Sequence, residues 1–163
     1  MSWMRIKGRK NIGLLVLLIV AIELGGLVSG LLAGGSGEKY ANIIKPDFAP
    51  PGWIFPVVWI LLYFLMAVAI YRIIQWGSYG KQTSKAVFYF TLQLALNYLW
   101  SILFFRFELY GIAFIELLVL LILIILTTIE FAKIDKRAAL LMVPYILWVS
   151  FAGILNFLIW LMN

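Results

Sequence analysis

Three polar side chains follow one another at helical spacing inside a long apolar run. Gln93, Asn97 and Ser101 are four residues apart, so a helix would place them on one face. Polar groups at membrane depth normally face a bundle interior or a cavity, because lipid offers them no partners. The stripe therefore predicts either hydrogen bonding between helices or a cavity wall that offers amide and hydroxyl groups to a ligand.

Two acidic residues also lie inside apolar runs. Glu23 and Glu116 could be structural carboxylates, neutral or paired with an amide such as Asn97 or Asn156, or they could contact a ligand or carry a proton. The chain has no histidine and no cysteine, so we expect no metal site, no thiol nucleophile and no histidine-based catalysis. A haem would also lack its commonest axial ligands.

Large side chains recur at helical spacing in two other apolar runs. In the run at residues 53–71, three large side chains lie on one face: Trp59, Tyr63 and Met66. In the run at residues 138–162, four positions share one face: Tyr145, Trp148, Ala152 and Asn156. Two such faces in opposition would form an aromatic-walled slot for a flat, apolar ligand. The same pattern is also compatible with plain core packing.

The composition sets the elements that must position these residues. The 163-residue chain is 65% hydrophobic and 12% charged, whereas a soluble chain is roughly half apolar and about a quarter charged. This excludes an ordinary cytosolic enzyme, a disordered tail and a nucleic-acid module. We predict an all-α integral membrane protein, one domain over residues 1–163, with five spans of sufficient length. The predicted spans are residues 12–32, 53–72, 86–105, 110–130 and 138–160.

The connections differ in length. The first connection, residues 34–52, is the longest and contains three prolines, and loops of that length are often functional lids. A short helix is expected at residues 38–45, ahead of Pro46. The third and fourth connections are tight, so the last three spans should be antiparallel neighbours. Gly26, Gly30 and Gly34 predict close helix packing, within the bundle rather than between protomers.

Basic residues are unevenly divided between the connections. Ten lie on one predicted side of the membrane: Arg5, Lys7, Arg9, Lys10, Arg72, Lys81, Lys85, Lys133, Lys136 and Arg137. Three lie on the other: Lys39, Lys45 and Arg106. Because basic connections stay in the cytoplasm, we expect a cytoplasmic N-terminus, with the lid loop and the C-terminus outside. The net charge of +6 is then mainly an orientation signal, and we expect no nucleic-acid partner. We interpret the first apolar run, residues 12–32, as a retained span rather than a signal peptide.

Three motifs resemble the translocator protein family, also called the tryptophan-rich sensory protein or peripheral-type benzodiazepine receptor family (TspO in bacteria). They are KPDFAPPGWIFPVVW at 45–59, QLALNYLWSILFF at 93–105 and PYILWVSFAGILN at 144–156. Their order and spacing agree with the family over nearly the whole chain. The resemblance implies a five-helix bundle with the first loop folded as a lid over a cavity. It also implies a homodimer, and a bacterial-type member in the cytoplasmic membrane.

The resemblance further implies a membrane sensor or receptor that requires no cofactor. Its expected ligands are porphyrins such as protoporphyrin IX and lipophilic compounds such as isoquinoline carboxamides. Two alternatives stay open: light- and oxygen-dependent porphyrin degradation, for which Trp59 and Trp148 would be the reactive residues, and transport of tetrapyrroles or other lipophiles. Positions matching the family's ligand site are Tyr40, Trp53, Trp59, Tyr63, Asn97, Trp100, Glu116, Trp148, Phe151 and Ala152. No conventional catalytic constellation accompanies them.

Overall fold

The structure, a computed structural model, describes residue 6 and residues 11–163. Its helices are α1 (Ile12–Leu32), α2 (Ser36–Asn42), α3 (Ile54–Gly77), α4 (Ser84–Ser101), α5 (Tyr110–Ile134) and α6 (Lys136–Met162). A π-helical turn, Ile102–Arg106, continues α4 toward the third connection. All of these helices except α2 are long and apolar enough to cross a membrane. The predicted all-α bundle of five spans is confirmed.

Two spans extend four or five residues beyond their predicted C-terminal ends, and the other span ends differ by two residues or fewer apart from the π-helical turn that completes the third span. α3 continues to Gly77 rather than residue 72, and α5 continues to Ile134 rather than residue 130. The prediction ended the second span at the first charge, but Arg72 is buried and its Nε donates to Asp135 Oδ2 at 2.5 Å. A paired charge does not force a helix to end, because its partner replaces the lost water.

The long helices form a closed ring in the order α1, α3, α6, α5, α4, with α4 returning to α1. The last three spans are therefore sequential neighbours, as the tight connections predict. Asp135 alone separates α5 from α6, and its carboxylate accepts a hydrogen bond from the Arg137 amide at 3.2 Å. Because such a connection is short, the two helices that it joins must lie side by side in the bundle.

Glycines in α1 admit aromatic side chains from its neighbours. A Cβ on Gly25 would collide with the Tyr98 ring, and a Cβ on Gly26 would collide with the Tyr63 ring. Gly30 has nothing within 4 Å of that position, and Gly34 turns the chain out of α1 with φ +77°. The predicted close packing inside the bundle is thus correct at Gly26. It is wrong at Gly30 and Gly34, which face no helix.

The lid contains a shorter and earlier helix than expected. α2 covers Ser36–Asn42 rather than residues 38–45. Lys45 lies beyond it and donates from Nζ to the carbonyls of Tyr40, Ala41 and Ile43, at 2.9–3.2 Å. A lysine in this position satisfies the carbonyls that a helix end leaves without partners. Lys45 therefore ends the helix instead of belonging to it.

The basic connections lie at opposite ends of the bundle. At one end, Lys85 and Lys133 pair with Glu130, and Lys81 donates to the Ile134 carbonyl. At the lid end, Arg106 donates to the Leu32 carbonyl at 3.0 Å. This grouping matches the predicted division of charge among the described residues. The basic residues at 5, 7, 9 and 10 lie outside the described residues, and the orientation in the membrane stays a prediction.

Candidate ligand-binding site

Hydrogen bonds between helices organise the centre of the bundle around Asn97. Its Oδ1 accepts from Tyr63 Oη at 2.7 Å, and its Nδ2 donates to Tyr145 Oη at 2.8 Å. Tyr145 Oη in turn donates to Gln93 Oε1 at 2.9 Å. The predicted polar stripe on α4 thus ties α3 and α6 together. Buried polar networks of this kind favour one arrangement of helices in a low-dielectric interior.

The stripe continues through Trp100 instead of Ser101. Trp100 Nε1 donates to Asn156 Oδ1 at 3.0 Å, and Asn156 Nδ2 donates to the Tyr110 carbonyl at 2.8 Å. Ser101 is half-buried and lies where α4 passes into the π-helical turn. The i, i+4 expectation is wrong at this position. The buried face passes through Trp100, three residues after Asn97, as the 3.6-residue helical repeat also allows.

Two small cavities lie in line between α3, α4 and α6, and they share Trp100 and Ala152 as a common wall. The cavity nearer the lid is bounded by Tyr40, Phe55, Trp100, Phe104, Phe105, Ala152, Leu155, Asn156 and Ile159. The deeper cavity is bounded by Trp59, Asn97, Trp100, Leu117, Leu120, Val149 and Ala152. The two cavities thus form a column that leads from the lid toward the central amide, with Trp100 and Ala152 between them.

The aromatic faces of α3 and α6 oppose each other, as predicted, but they are in contact. The ring centroids of Trp59 and Tyr145 are 6.2 Å apart, and those of Phe55 and Trp148 are 5.7 Å apart. Each cavity has room for about one water molecule, whereas ligand pockets usually enclose about 300–1,000 Å³. A flat ligand can therefore enter only when side chains of this column move.

The structure brings together most of the site residues that the sequence predicts. Tyr40, Trp59, Asn97, Trp100 and Ala152 line the cavities. Three others stand directly behind that lining or beside it: Tyr63, Trp148 and Phe151. Trp53 does not belong to this group, because it lines neither cavity and is 68% exposed.

Some buried polar atoms near this column have no hydrogen-bond partner among the described residues. They are both carboxylate oxygens of Glu116, Gln93 Nε2 and the indole Nε1 of Trp148. The expectation that Asn97 or Asn156 pairs with Glu116 is wrong, because those amides bind Tyr63, Tyr145, Trp100 and the Tyr110 carbonyl. Glu23 is half-buried on α1 and lines neither cavity.

Tyr40 forms the underside of the lid. Its hydroxyl donates to the Pro50 carbonyl at 2.9 Å, and its ring meets Phe55 edge-on at 4.9 Å. The Lys45 ammonium lies 5.0 Å from the ring centroid, at the distance of a cation–π contact. Burial raises the pKa of the Tyr40 phenol. The neutral hydroxyl therefore holds the lid's proline segment over the cavity.

Sequence reasoning missed three aromatic lining residues. Phe55 lies one residue before Pro56, in the first turn of α3, and nothing in the local pattern distinguishes it from a lipid-facing residue. Phe104 and Phe105 lie in the π-helical turn, which directs two consecutive side chains to the cavity.

The chemistry of the column is set by its lining. Within residue 6 and residues 11–163, no group of three or more acidic, histidine or cysteine side chains could hold a metal ion. The lining is aromatic and aliphatic, with the Asn97 and Asn156 amides as its polar groups. Such a surface recognises a flat, apolar molecule that presents a few polar atoms at its edge.

Comparisons with known proteins agree with this description. The model of the TspO/MBR family matches residues 15–161. The tryptophan-rich protein TspO of Archaeoglobus fulgidus is 38% identical over 94% of this chain and 99% of its own length. The tryptophan-rich sensory protein of Cereibacter sphaeroides is 37% identical over 74% of this chain and 73% of its own. The translocator protein of Bos taurus is 34% identical over 85% and 83%.

Proposed function

Because the chain belongs to the TspO/MBR family of integral membrane proteins, we propose that it is a membrane-embedded receptor for porphyrins such as protoporphyrin IX. Related lipophilic compounds, such as isoquinoline carboxamides, would occupy the same site. The observation that carries the proposal is the column of two cavities beneath the lid, with Trp59, Trp100 and Asn97 in its walls.

The chemistry of the column's lining suits a flat macrocycle. Aromatic side chains gain most when they pack offset or edge-on against another π system. Trp100 bounds both cavities and stacks on Phe104 at 4.9 Å. A macrocycle that took the place of Phe104 against Trp100 would keep one aromatic face in contact. The pyrrole nitrogens would then lie toward the amides of Asn97 and Asn156.

Binding requires that the lid or the rings beneath it move. Of the helices, α2 packs chiefly on the π-helical turn, whereas each span packs along the bundle. The lid is therefore the element that can open at the lowest cost. Opening would lift Tyr40 from Phe55 and would join the upper cavity to the outside.

The test is equilibrium binding of protoporphyrin IX to the purified protein in detergent, followed by quenching of tryptophan fluorescence. We expect micromolar affinity, and we expect Trp100→Phe and Trp59→Phe to weaken it about tenfold or more, since buried aromatic contacts dominate binding energy. Trp160→Phe is the matched control, because Trp160 is 45% exposed and packs on Gly111 outside the column.

Two results would contradict this site. The first is an affinity that stays unchanged in the Trp59→Phe, Trp100→Phe double variant. The second is a loss of affinity in Trp160→Phe that equals the loss in Trp100→Phe, since that would indicate binding on the lipid-facing surface. An isoquinoline carboxamide that competes with the porphyrin would support one shared site.

A light-driven reaction is the second candidate function, and the position of Trp59 favours it. Trp59 bounds the deeper cavity, so its indole would touch a bound porphyrin, whereas Trp148 lies behind Phe55 and Phe151. Illumination in air should then bleach bound porphyrin faster than illumination under argon, and Trp59→Phe should slow bleaching more than Trp148→Phe. Bleaching at the rate found in protein-free micelles would exclude this activity.

A further inference from the structure

Three cations surround the lid, and they differ in how many of their donors are used. Lys45 donates to three carbonyls, which accounts for all three N–H bonds of its ammonium. Lys39 donates to one carbonyl, that of Phe105, at 2.6 Å. Arg106 donates to the Leu32 carbonyl, and its side chain extends along the exposed surface. Lys39 is thus the half-buried cation that keeps donors for another acceptor.

Lys39 lies next to the wall of the upper cavity without lining it. Its chain neighbour Tyr40 and its hydrogen-bond partner Phe105 both line that cavity. The Phe105 carbonyl lies at the end of the π-helical turn, where the last carbonyls have no backbone partner and can accept from a side chain. The geometry therefore places an ammonium group beside the mouth of an aromatic column.

No carboxylate of the described chain neutralises this ammonium. Among the described residues, ion pairs join Arg72 to Asp135, and Lys85 and Lys133 to Glu130. All of them lie at the end of the bundle opposite the lid. Acidic side chains do occur at the lid end: Glu38, Asp47 and Glu108. All three are exposed, so water and salt screen their field at the cavity mouth.

We propose that Lys39 is a specificity residue that binds a carboxylate of the ligand at the cavity mouth. The preferred ligand class would then be a flat aromatic molecule with an acidic substituent, rather than a neutral one. This inference rests on the proposed function and adds the charge of the ligand to it. Protoporphyrin IX fits this class, because two propionate groups extend from one edge of its macrocycle.

The carboxylate would use the donors that the Phe105 carbonyl leaves unused. A charge-assisted hydrogen bond between an ammonium and a carboxylate is about twice as strong as a neutral one. The surroundings are partly apolar, because Tyr40, Phe104 and Phe105 lie next to the site, and low polarity strengthens the attraction further. The ring system would enter the column while the acid stayed at the lid, so one contact would also fix the orientation of the ligand.

The test compares two ligands of one shape, protoporphyrin IX and its dimethyl ester, on the full-length protein in a neutral detergent. The unaltered protein should bind the diacid about tenfold more tightly than the diester, the factor expected for one hydrogen bond to a charged group. Lys39→Met should remove this preference by weakening the diacid alone, and Lys39→Arg should restore most of it.

Lys81→Met is the matched control. Lys81 Nζ also donates to a backbone carbonyl at 2.6 Å, that of Ile134, but at the opposite end of the bundle. This variant should bind both ligands as the unaltered protein does. Raised salt should weaken the diacid more than the diester in the unaltered protein, which tests the charge contact even if Lys39→Met does not fold.

The possible results distinguish a failure of the role inferred for Lys39 from a failure of the proposed receptor function. Equal affinity of the unaltered protein for diacid and diester would overturn the inference and leave the porphyrin receptor standing. An equal loss of both ligands in Lys39→Met would assign Lys39 to lid structure alone and would also overturn it. If neither ligand binds the unaltered protein, the proposed function fails, and the inference fails with it.

Discussion

Asn97 is the residue on which the centre of the bundle depends most. It is 3% exposed, and its amide both accepts from Tyr63 and donates to Tyr145. Replacing it with an apolar side chain would leave two buried tyrosine hydroxyls short of a partner. The cost arises less from the lost bonds than from polar groups that lipid and protein cannot solvate.

We therefore expect Asn97→Leu to lower the free energy of unfolding by about 1–3 kcal/mol, the cost of leaving buried polar groups unsatisfied. The measurement is helix loss on titration of the detergent-solubilised protein with dodecyl sulfate. Thr91→Val is the control on the same helix, because Thr91 is exposed and its hydroxyl donates to Val87 of α4 itself. Equal unfolding midpoints for the two variants would contradict the central role of the amide.

The contribution of Tyr40 to the stability of the lid should depend on pH in the alkaline range. Burial raises the pKa of its phenol, so the unfolded chain ionises at a lower pH than the folded one. The contribution of the neutral hydroxyl is then fully present below about pH 10, the ordinary value for tyrosine, and it declines as the pH rises beyond that. Subtracting the phenolate absorbance of Tyr40→Phe from that of the unaltered protein should give the titration of Tyr40, with its midpoint above the ordinary tyrosine pKa of about 10. A midpoint at or below that pKa would contradict the buried position.

Site residues could be predicted where chemistry and periodicity coincide. Gln93 and Asn97 were recognisable because amides are rare in apolar helices, and Trp59 and Trp100 because deep indoles are unusual in plain packing. Phe55, Phe104 and Phe105 could not be separated from lipid-facing phenylalanines. The sequence identifies Lys39 only as an orientation charge, because it does not show that the ammonium meets the Phe105 carbonyl.

At the scale of the elements, the contact between α1 and its neighbours depends on glycine. Tyr63 of α3 and Tyr98 of α4 approach α1 where Gly26 and Gly25 leave space. Tyr98 also donates to the Ile22 carbonyl at 2.7 Å, and Ser29 donates to the Tyr98 carbonyl. Close approach in membranes usually depends on such small residues, because packing replaces the hydrophobic effect between helices.

Two alanine substitutions on α1 should therefore behave differently. Gly26→Ala should destabilise the protein by about 1–3 kcal/mol, as overpacking does, because the new methyl collides with Tyr63. Gly30→Ala should be neutral or slightly stabilising, since nothing lies near its Cβ position and alanine favours helix. Unfolding in dodecyl sulfate compares them directly, and equal effects would show that α1 packs in another register.

For the whole molecule, the charge distribution predicts an orientation in the membrane. Because the chain lacks cysteine, single cysteines can be introduced without removing any native thiol. We expect Ser78→Cys, at the exposed end of α3, to resist a membrane-impermeant maleimide in intact spheroplasts. Glu108→Cys, on the exposed third connection, should react under the same conditions. The reverse pattern would overturn the predicted cytoplasmic N-terminus.

The number and order of the spans could be predicted because each depends on simple physical limits. Span length follows from membrane thickness, and the neighbour relations of α4, α5 and α6 follow from tight connections. The ends of α3 and α2 could not be predicted, because tertiary partners decide them. Arg72 can lie inside its helix because Asp135 pairs with it, and Lys45 ends a helix because its ammonium donates to the helix's last carbonyls.

The π-helical turn at Ile102–Arg106 holds about one residue more than an α-helical turn of similar rotation. Deleting one residue there would therefore let a regular helix connect the same two ends, and Trp100 and Tyr110 would keep their relative positions. A deletion within α4, between Asn97 and Trp100, has no such turn to absorb it and would rotate Trp100 by about 100° relative to Asn97. The tolerance of this helix to a change in chain length thus depends on where the change falls.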